Sequence, residues 1–203
     1  MILMLPFVQA AVAASNFSVP QSYDVQVGES FPFNSTSLSV VVEAVAQTDR
    51  SGSGPAYLLN GLTDAGWWYQ VGLSYNWPFT SGHASGFNMI YEVFDAQGNS
   101  VYPAYGAGLV SFSGKVRPGD NVTLTLEFEV GKVYMRATDL ETGAQALRAY
   151  PAAGSTFVGM KTANSNGLFT GIMTEWYRSS LNFTELPVRF SFRALPSAFL
   201  WVS

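Results

Sequence analysis

The chain has 203 residues, of which 48% are hydrophobic and only 12% are charged, a composition that excludes a disordered chain and suits one folded domain. The formal net charge is −4 and the ten lysines and arginines are scattered, so no basic patch indicates nucleic acid as a partner. The sequence has no cysteine and one histidine, His83, which argues against disulfides, thiol catalysis, zinc–thiolate sites and a histidine-rich metal site. We predict no cofactor.

Residues 1–14 form an apolar segment that is interrupted only by Gln9. The segment is too short to cross a bilayer as a helix, and Ala11-Val12-Ala13 fits the pattern of a signal-peptidase site. We therefore predict a secretion signal over residues 1–14, one domain over residues 15–203, and a secreted or extracellular-surface protein without a transmembrane span. Because no lysine or arginine precedes the apolar run, a strand or anchor retained in the mature protein is the alternative.

Four Asn-X-Ser/Thr sequons are consistent with export. Serine and threonine are abundant in the chain, so the sequons support export without proving it. The predicted glycosylation sites are Asn16, Asn34, Asn121 and Asn182.

Short segments rich in β-branched and aromatic residues alternate with turn residues along the whole domain. The predicted strands cover residues 23–27, 38–48, 67–75, 87–95, 109–112, 122–130, 133–139, 156–160, 168–177, 188–193 and 198–202. Residues 122–130 alternate between apolar and polar side chains, and the turn at Gly131 and Lys132 predicts a hairpin with the next strand. No segment has the period of a helix, so the pattern predicts an all-β sandwich or barrel.

The strand predicted over residues 67–75 carries one polar amide in an aromatic setting. Alternation predicts a continuously apolar core face, made of Trp67, Tyr69, Val71, Leu73 and Tyr75. Gln70 lies on the opposite face between Trp68 and Gly72, which suggests a groove in which a ligand approaches the backbone at the glycine. The alternative is that Gln70 points into solvent.

The strand predicted over residues 168–177 carries a single carboxylate on one face. Alternation groups Glu175 with Phe169, Gly171, Met173 and Tyr177. A carboxylate among apolar side chains is costly to keep ionised, so we expect the pKa of Glu175 to lie above its ordinary value. The alternative is a glutamate at the wet end of the strand that pairs with Arg178.

The order of these elements resembles the eqolisins, the acid-active glutamic peptidases. Gln70 on an early aromatic strand, and Thr174-Glu175-Trp176 on a late strand, occupy the places of the glutamine and glutamate of that family. Further similar segments are residues 90–94, 119–126 and 138–143, and the whole resemblance spans about residues 67–192. The run that precedes the glutamine strand in the family and the disulfide cysteines of the family are missing here. A looser resemblance, through Trp68-Tyr69-Gln70-Val71, is to the thermopsin-like acid proteases of archaea.

The resemblance implies an antiparallel two-sheet sandwich of concanavalin or jelly-roll type and an acid-acting endopeptidase whose substrate is a polypeptide. Glu175 would activate water and return the proton to the leaving nitrogen, and Gln70 would donate to the developing oxyanion. Glu92 would hold Gln70 or a water molecule. The cleft would be lined by Trp68, Tyr69, Tyr91 and Trp176.

Two alternatives from other functional classes fit the same sequence. A non-catalytic extracellular sandwich could bind glycans or proteins through aromatic side chains on one sheet. A structural surface subunit could use its apolar N-terminus to add a strand to a neighbour.

Overall fold

The computed structural model describes residues 22–28, 34–46, 48, 54–77, 85–104, 107–159 and 170–177, with residues 22–28 and 174–177 described by their backbone. These residues contain thirteen strands and no helix. The strands are Ser22–Gly28 (β1), Asn34–Ser35 (β2), Ser37–Glu43 (β3), Ala56–Leu62 (β4), Trp68–Tyr75 (β5), Phe87–Phe94 (β6), Ser100–Tyr102 (β7), Gly108–Ser111 (β8), Asn121–Glu129 (β9), Lys132–Asp139 (β10), Gln145–Pro151 (β11), Phe157–Val158 (β12) and Gly171–Tyr177 (β13). Over this part of the chain, no helix long and apolar enough to cross a membrane is found.

Two sheets contain all but two of these strands. The larger sheet has the order β1-β13-β4-β5-β6-β7, and β8 also pairs with β6. The smaller sheet has the order β11-β10-β9-β3, and β12 and β2 form a separate two-stranded sheet. Every pairing is antiparallel.

The main hydrophobic core lies between the two sheets. The larger sheet contributes Tyr69, Val71 and Leu73 of β5, which are at most 1% exposed. The smaller sheet contributes alternate residues of β9 and β10, namely Val122, Leu124, Leu126, Val133, Met135 and Ala137. Each fully buried valine, leucine or methionine side chain of this set stabilises the fold by about 1.5–3 kcal/mol. The prediction of an all-β antiparallel two-sheet sandwich is therefore confirmed.

The predicted hairpin is also present, because β9 pairs with β10 from Glu129 and Lys132 outward. The turn lies one residue earlier than predicted, because Lys132 already belongs to β10 and the turn residues are Val130 and Gly131, with φ angles of 42° and 74°. Both are in the left-handed region, as expected for a two-residue turn that matches the twist of the strands.

The strand predictions differ from the structure mainly at β2, β4, β7 and β11, which were not predicted. In β4 six of the seven residues are buried, so the strand lacks the polar and apolar alternation that marks a half-buried strand. The segments predicted at residues 188–193 and 198–202, and the apolar segment at residues 1–14, lie outside the described residues.

Candidate functional site

Gln70 lies on the face of the larger sheet that points away from the main core. This second face also carries an apolar cluster, formed by Ala56, Leu58, Trp77, Ile90 and Met173. Gln70 is only 3% exposed, so the alternative in which it points into solvent is wrong. The amide belongs to a buried site.

Three polar residues on neighbouring strands form a row across the second face. Gln70 of β5 is in register with Asn60 of β4 on one side and with Glu92 of β6 on the other. Nε2 of Gln70 donates a hydrogen bond of 3.1 Å to Oδ1 of Asn60. Directly opposed residues in an antiparallel pair have Cβ atoms about 4.5–5.5 Å apart, so the three side chains are close neighbours. We call Asn60, Gln70 and Glu92 the polar row.

Asn60 is fully buried, with 0% of its surface exposed. Its Oδ1 accepts the hydrogen bond from Gln70, but its Nδ2 has no hydrogen-bond partner among the described residues. A buried N–H group without an acceptor costs about 1–3 kcal/mol, so this amide does not stabilise the fold as it stands.

Glu92 is half-buried at the other end of the row, and burial raises the pKa of its carboxyl group, while the hydrogen bond from Ser100 opposes the rise. Oγ of Ser100 lies 2.9 Å from Oε1 of Glu92 and 3.1 Å from the backbone oxygen of Pro103. One hydroxyl hydrogen serves only one of these acceptors at a time. When it points to Pro103, a protonated Glu92 can donate to Ser100 instead, so the carboxyl group has a hydrogen-bond partner in either protonation state.

The backbone of β13 places Glu175 on the same face of the sheet as Gln70, but not opposite it. Gly171 is the residue in register with Asn60, whereas Glu175 is in register with Ala56, which pairs with Ser74. The two positions are therefore two strands and four residues apart, roughly 10 Å across the sheet and 13 Å along it. The Glu175 side chain is outside the description, so its pairing with Gln70 stays a prediction. Glu92 is the glutamate that the register places beside Gln70.

The predicted cleft aromatics lie on two different faces. Trp68 shares the face of Gln70, is 5% exposed and packs edge to face on Phe94 with ring centroids 5.2 Å apart. Tyr69 lies in the main core, where its hydroxyl donates to the backbone oxygen of Pro151 at 2.8 Å.

Tyr91 also lies on the core side, where its ring centroid is 5.2 Å from that of Tyr102. The Arg148 guanidinium lies 5.8 Å from the Tyr91 ring centroid. Tyr69 and Tyr91 therefore support the sheet from the side opposite Gln70. Trp176 belongs to β13, and its side chain lies outside the described residues.

Gly72 has a packing role, and the expected approach of a ligand to its backbone is wrong. A Cβ atom added there would come within 2.6 Å of the Tyr57 backbone oxygen and 2.8 Å of Ile90 Cγ2, and would also meet Leu58. The space above Gly72 is filled by neighbouring side chains, so the apolar cluster borders the polar row at this point.

Two of the predicted glycosylation sites, Asn34 and Asn121, are exposed. Nδ2 of Asn121 donates to Oε1 of Glu141 at 2.8 Å. Asn16 and Asn182 lie outside the described residues, as does His83. The part of the chain that the structure describes contains no cluster of three metal-ligating side chains.

Asn60 is the residue of this site that the sequence analysis missed, because its strand was not predicted. A usable signal exists in the sequence. Residues 56–62 are an apolar run with one asparagine, bracketed by Gly54-Pro55 and by the turn residues 64–66.

The fold and the site define an antiparallel two-sheet β-sandwich with a buried polar row on one face of its larger sheet. No protein-family model matches the chain, and no curated protein matches it. Solved structures with a similar fold include scytalido-glutamic peptidase with a transition state analog inhibitor, at 12% identity and a TM-score of 0.37, over 92% of this chain and 90% of that chain.

A second similar structure is SCP-B, a member of the eqolisin family of peptidases in a complex with the tripeptide Ala-Ile-His, at 10% identity and a TM-score of 0.35, over 77% of this chain and 62% of that chain. A third is the CBM2 module of the Lactobacillus casei BL23 phage J-1 evolved Dit, at 14% identity and a TM-score of 0.36, over 77% and 69% of the two chains.

Proposed function

We propose that this sandwich hydrolyses peptide bonds in acid, with Gln70 and a glutamate as the reacting pair. The observation that carries the proposal is the polar row, in which a buried amide stands directly beside a carboxyl group of raised pKa. A group that both takes and gives a proton works best when its pKa lies near the working pH, and a raised glutamate pKa meets this condition in mild acid.

The chemistry needs only these two groups and water. The ionised glutamate takes a proton from water, and the hydroxide formed attacks the carbonyl carbon of the peptide bond. Nε2–H of Gln70 stabilises the oxyanion that develops. The protonated glutamate then gives its proton to the leaving nitrogen, the C–N bond breaks, and the carboxylate is restored.

Two glutamates are candidates for the base. The sequence resemblance favours Glu175, and the register favours Glu92, because one peptide bond must reach both the glutamate and Gln70. We propose Glu92 as the base and keep Glu175 as the alternative. In either case the substrate is a polypeptide and no cofactor takes part.

The offset between Gln70 and Glu175 also favours a second candidate function, a non-catalytic module that binds a polypeptide or a glycan at the same face. Amide groups such as those of Asn60 and Gln70 recognise ligand oxygens without any turnover. Such a module would bind its ligand equally well after either glutamate is replaced by glutamine.

The test is incubation of the purified protein with a denatured protein at pH 2 to 7, using wild type, Glu92→Gln and Glu175→Gln. We expect wild type to cleave the substrate in acid, Glu92→Gln to lose cleavage, and Glu175→Gln to keep it. Loss of cleavage in Glu175→Gln alone would assign the base to Glu175. Binding without cleavage in all three proteins would establish the non-catalytic module.

We also propose that the protein is secreted, with residues 1–14 removed and glycans on its sequons. Exposure of Asn34 and Asn121 supports this proposal, since an oligosaccharide transferase needs access to the acceptor. N-terminal sequencing of protein from the culture medium, with intact mass before and after deglycosylation, tests it. A protein that is found only inside the cell and begins at Met1 would contradict it.

A further inference from the structure

The amide of Asn60 is the buried group of the polar row whose donor is unused. Its side chain is 0% exposed, and no acceptor among the described residues reaches Nδ2. Gly171, the residue in register with it on β13, adds no side chain to the row. The Nδ2 group of Asn60 is therefore buried away from water without an acceptor.

Packing does not require an amide at this position. Leu58 and Leu62 flank Asn60 on the same face of β4, and they are 0% and 2% exposed. A leucine would fill the same kind of space and would remove the unpaired N–H group, but Nε2 of Gln70 would lose the acceptor that it has at Oδ1. Packing therefore does not explain the unused donor.

The position of Gln70 indicates which ligand atom the donor would meet. Nε2 of Gln70 lies 3.1 Å from Oδ1 of Asn60 and uses one of its two hydrogens there. Nε2 of Gln70 keeps a second hydrogen, and both hydrogens on Nδ2 of Asn60 are unused. The two nitrogens are close enough for one oxygen atom to accept a hydrogen bond of about 2.9 Å from each. Two amides that converge on one oxygen suit a carbonyl that develops negative charge.

We propose that Asn60 is a substrate-binding residue whose Nδ2 donates, together with Nε2 of Gln70, to the carbonyl oxygen of the peptide bond held at the polar row. The inference rests on the proposed function and deepens it, since it adds a second donor to the one already assigned to Gln70. It also identifies the carbonyl of a peptide bond as the group that the row recognises.

The test uses fluorescein-labelled, denatured casein and two variants, with cleavage and fluorescence anisotropy as readouts. Asn60→Leu removes the donor, and we expect kcat/KM to fall about 10²-fold, the usual loss for one oxyanion donor. Its thermal midpoint should stay close to that of wild type, because removal of the unpaired N–H group offsets the loss of the acceptor for Gln70. A fall in activity with a lowered midpoint would indicate a structural role instead.

Asn60→Asp separates substrate binding from a positioning role and covers the case in which the leucine variant fails to fold. Aspartate keeps an oxygen that accepts from Gln70 at every pH, but it donates to a substrate only when protonated. We therefore expect its activity, relative to wild type, to be nearly normal at pH 3 and to fall toward that of Asn60→Leu by pH 6. A ratio to wild type that stays constant with pH would overturn the inference.

The matched control is Thr123→Val. Oγ1 of Thr123 is the second buried side-chain atom without a partner among the described residues, and it belongs to β9 of the smaller sheet. Its removal should leave cleavage and binding unchanged. If wild type binds casein without cleaving it, the proposed hydrolysis fails, and weaker binding by Asn60→Leu at every pH and by Asn60→Asp at pH 6 still supports the inference. Equal binding by all proteins, or no binding at all, overturns it.

Discussion

Individual carboxyl groups of this protein respond to pH in opposite directions. Hydrogen bonds from Ser155 lower the pKa of Asp64, and hydrogen bonds from Asn99 lower that of Asp95. At Asp139 burial acts to raise the pKa, but hydrogen bonds from Thr142 and Glu141 outweigh it and the pKa is lowered. The stability that these aspartates contribute is present above their unfolded pKa and is lost as the pH falls through their folded pKa.

The pKa of Glu92 is shifted in the opposite direction, because burial raises it from the ordinary value of 4.5. Its contribution to stability is fully present below the unfolded pKa and is lost as the pH rises through the folded pKa. Glu92→Gln is neutral at every pH, so it should gain free energy of unfolding relative to wild type between pH 4 and pH 7. Urea unfolding of both proteins at these two pH values measures the change. A difference that does not vary with pH would contradict the burial of this carboxyl group.

Individual strands show where local sequence specifies structure and where it does not. Strand β5 was predicted with the correct faces, because Tyr69, Val71 and Leu73 alternate with smaller or polar residues. Strand β4 was missed, because it is buried on both faces and carries no alternation. The offset of Glu175 from Gln70 was beyond sequence reasoning, since the pairing of β13 with β4 depends on how distant segments meet.

The β9–β10 hairpin contains a residue that is poorly suited to its conformation. Val130 is fully exposed and adopts a φ of 42°, which is unfavourable for a β-branched side chain. Val130→Asn should raise the free energy of unfolding by about 1 kcal/mol, because asparagine tolerates the left-handed region. Val130→Ala removes the exposed methyl groups but keeps most of the backbone cost, so it should gain less. Urea unfolding measures the free energy of unfolding of both variants. Equal increases would show that the effect comes from removing the exposed valine side chain and not from the backbone conformation of the turn.

Close packing at the centre of the larger sheet depends on Gly72 of β5. An added Cβ atom would come within 2.8 Å of Ile90 Cγ2 and 2.6 Å of the Tyr57 backbone oxygen, and the backbone cannot move aside cheaply. Gly72→Ala should therefore lower the free energy of unfolding by about 1–3 kcal/mol, as overpacked core positions do. Gly114→Ala is the control, since its Cβ atom would approach only the Ala144 methyl group, at 3.2 Å. Similar losses in both variants would contradict the packing seen around Gly72.

At the scale of the whole molecule, the larger sheet has a structural face, which packs on the smaller sheet, and a candidate functional face on its other side. The inner face packs on the smaller sheet through residues such as Val71, and it follows from the hydrophobic pattern of the sequence. The second face combines an apolar cluster with the polar row, and Asn60, Gln70 and Glu92 come together only through the strand order β4-β5-β6. Sequence pattern therefore predicted the sandwich, whereas the composition of the site required the register.

The central claim is that the polar row hydrolyses peptide bonds, and the most direct test is the rate of cleavage of a denatured protein in acid by wild type and Gln70→Ala. We expect kcat to fall roughly 10²–10³-fold in the variant, the usual loss for one oxyanion donor. The control is Gln145→Ala, the same replacement at an exposed position of β11 in the smaller sheet, which should cleave at the wild-type rate. Equal rates for wild type and folded Gln70→Ala, or no cleavage by wild type between pH 2 and pH 7, would contradict the account.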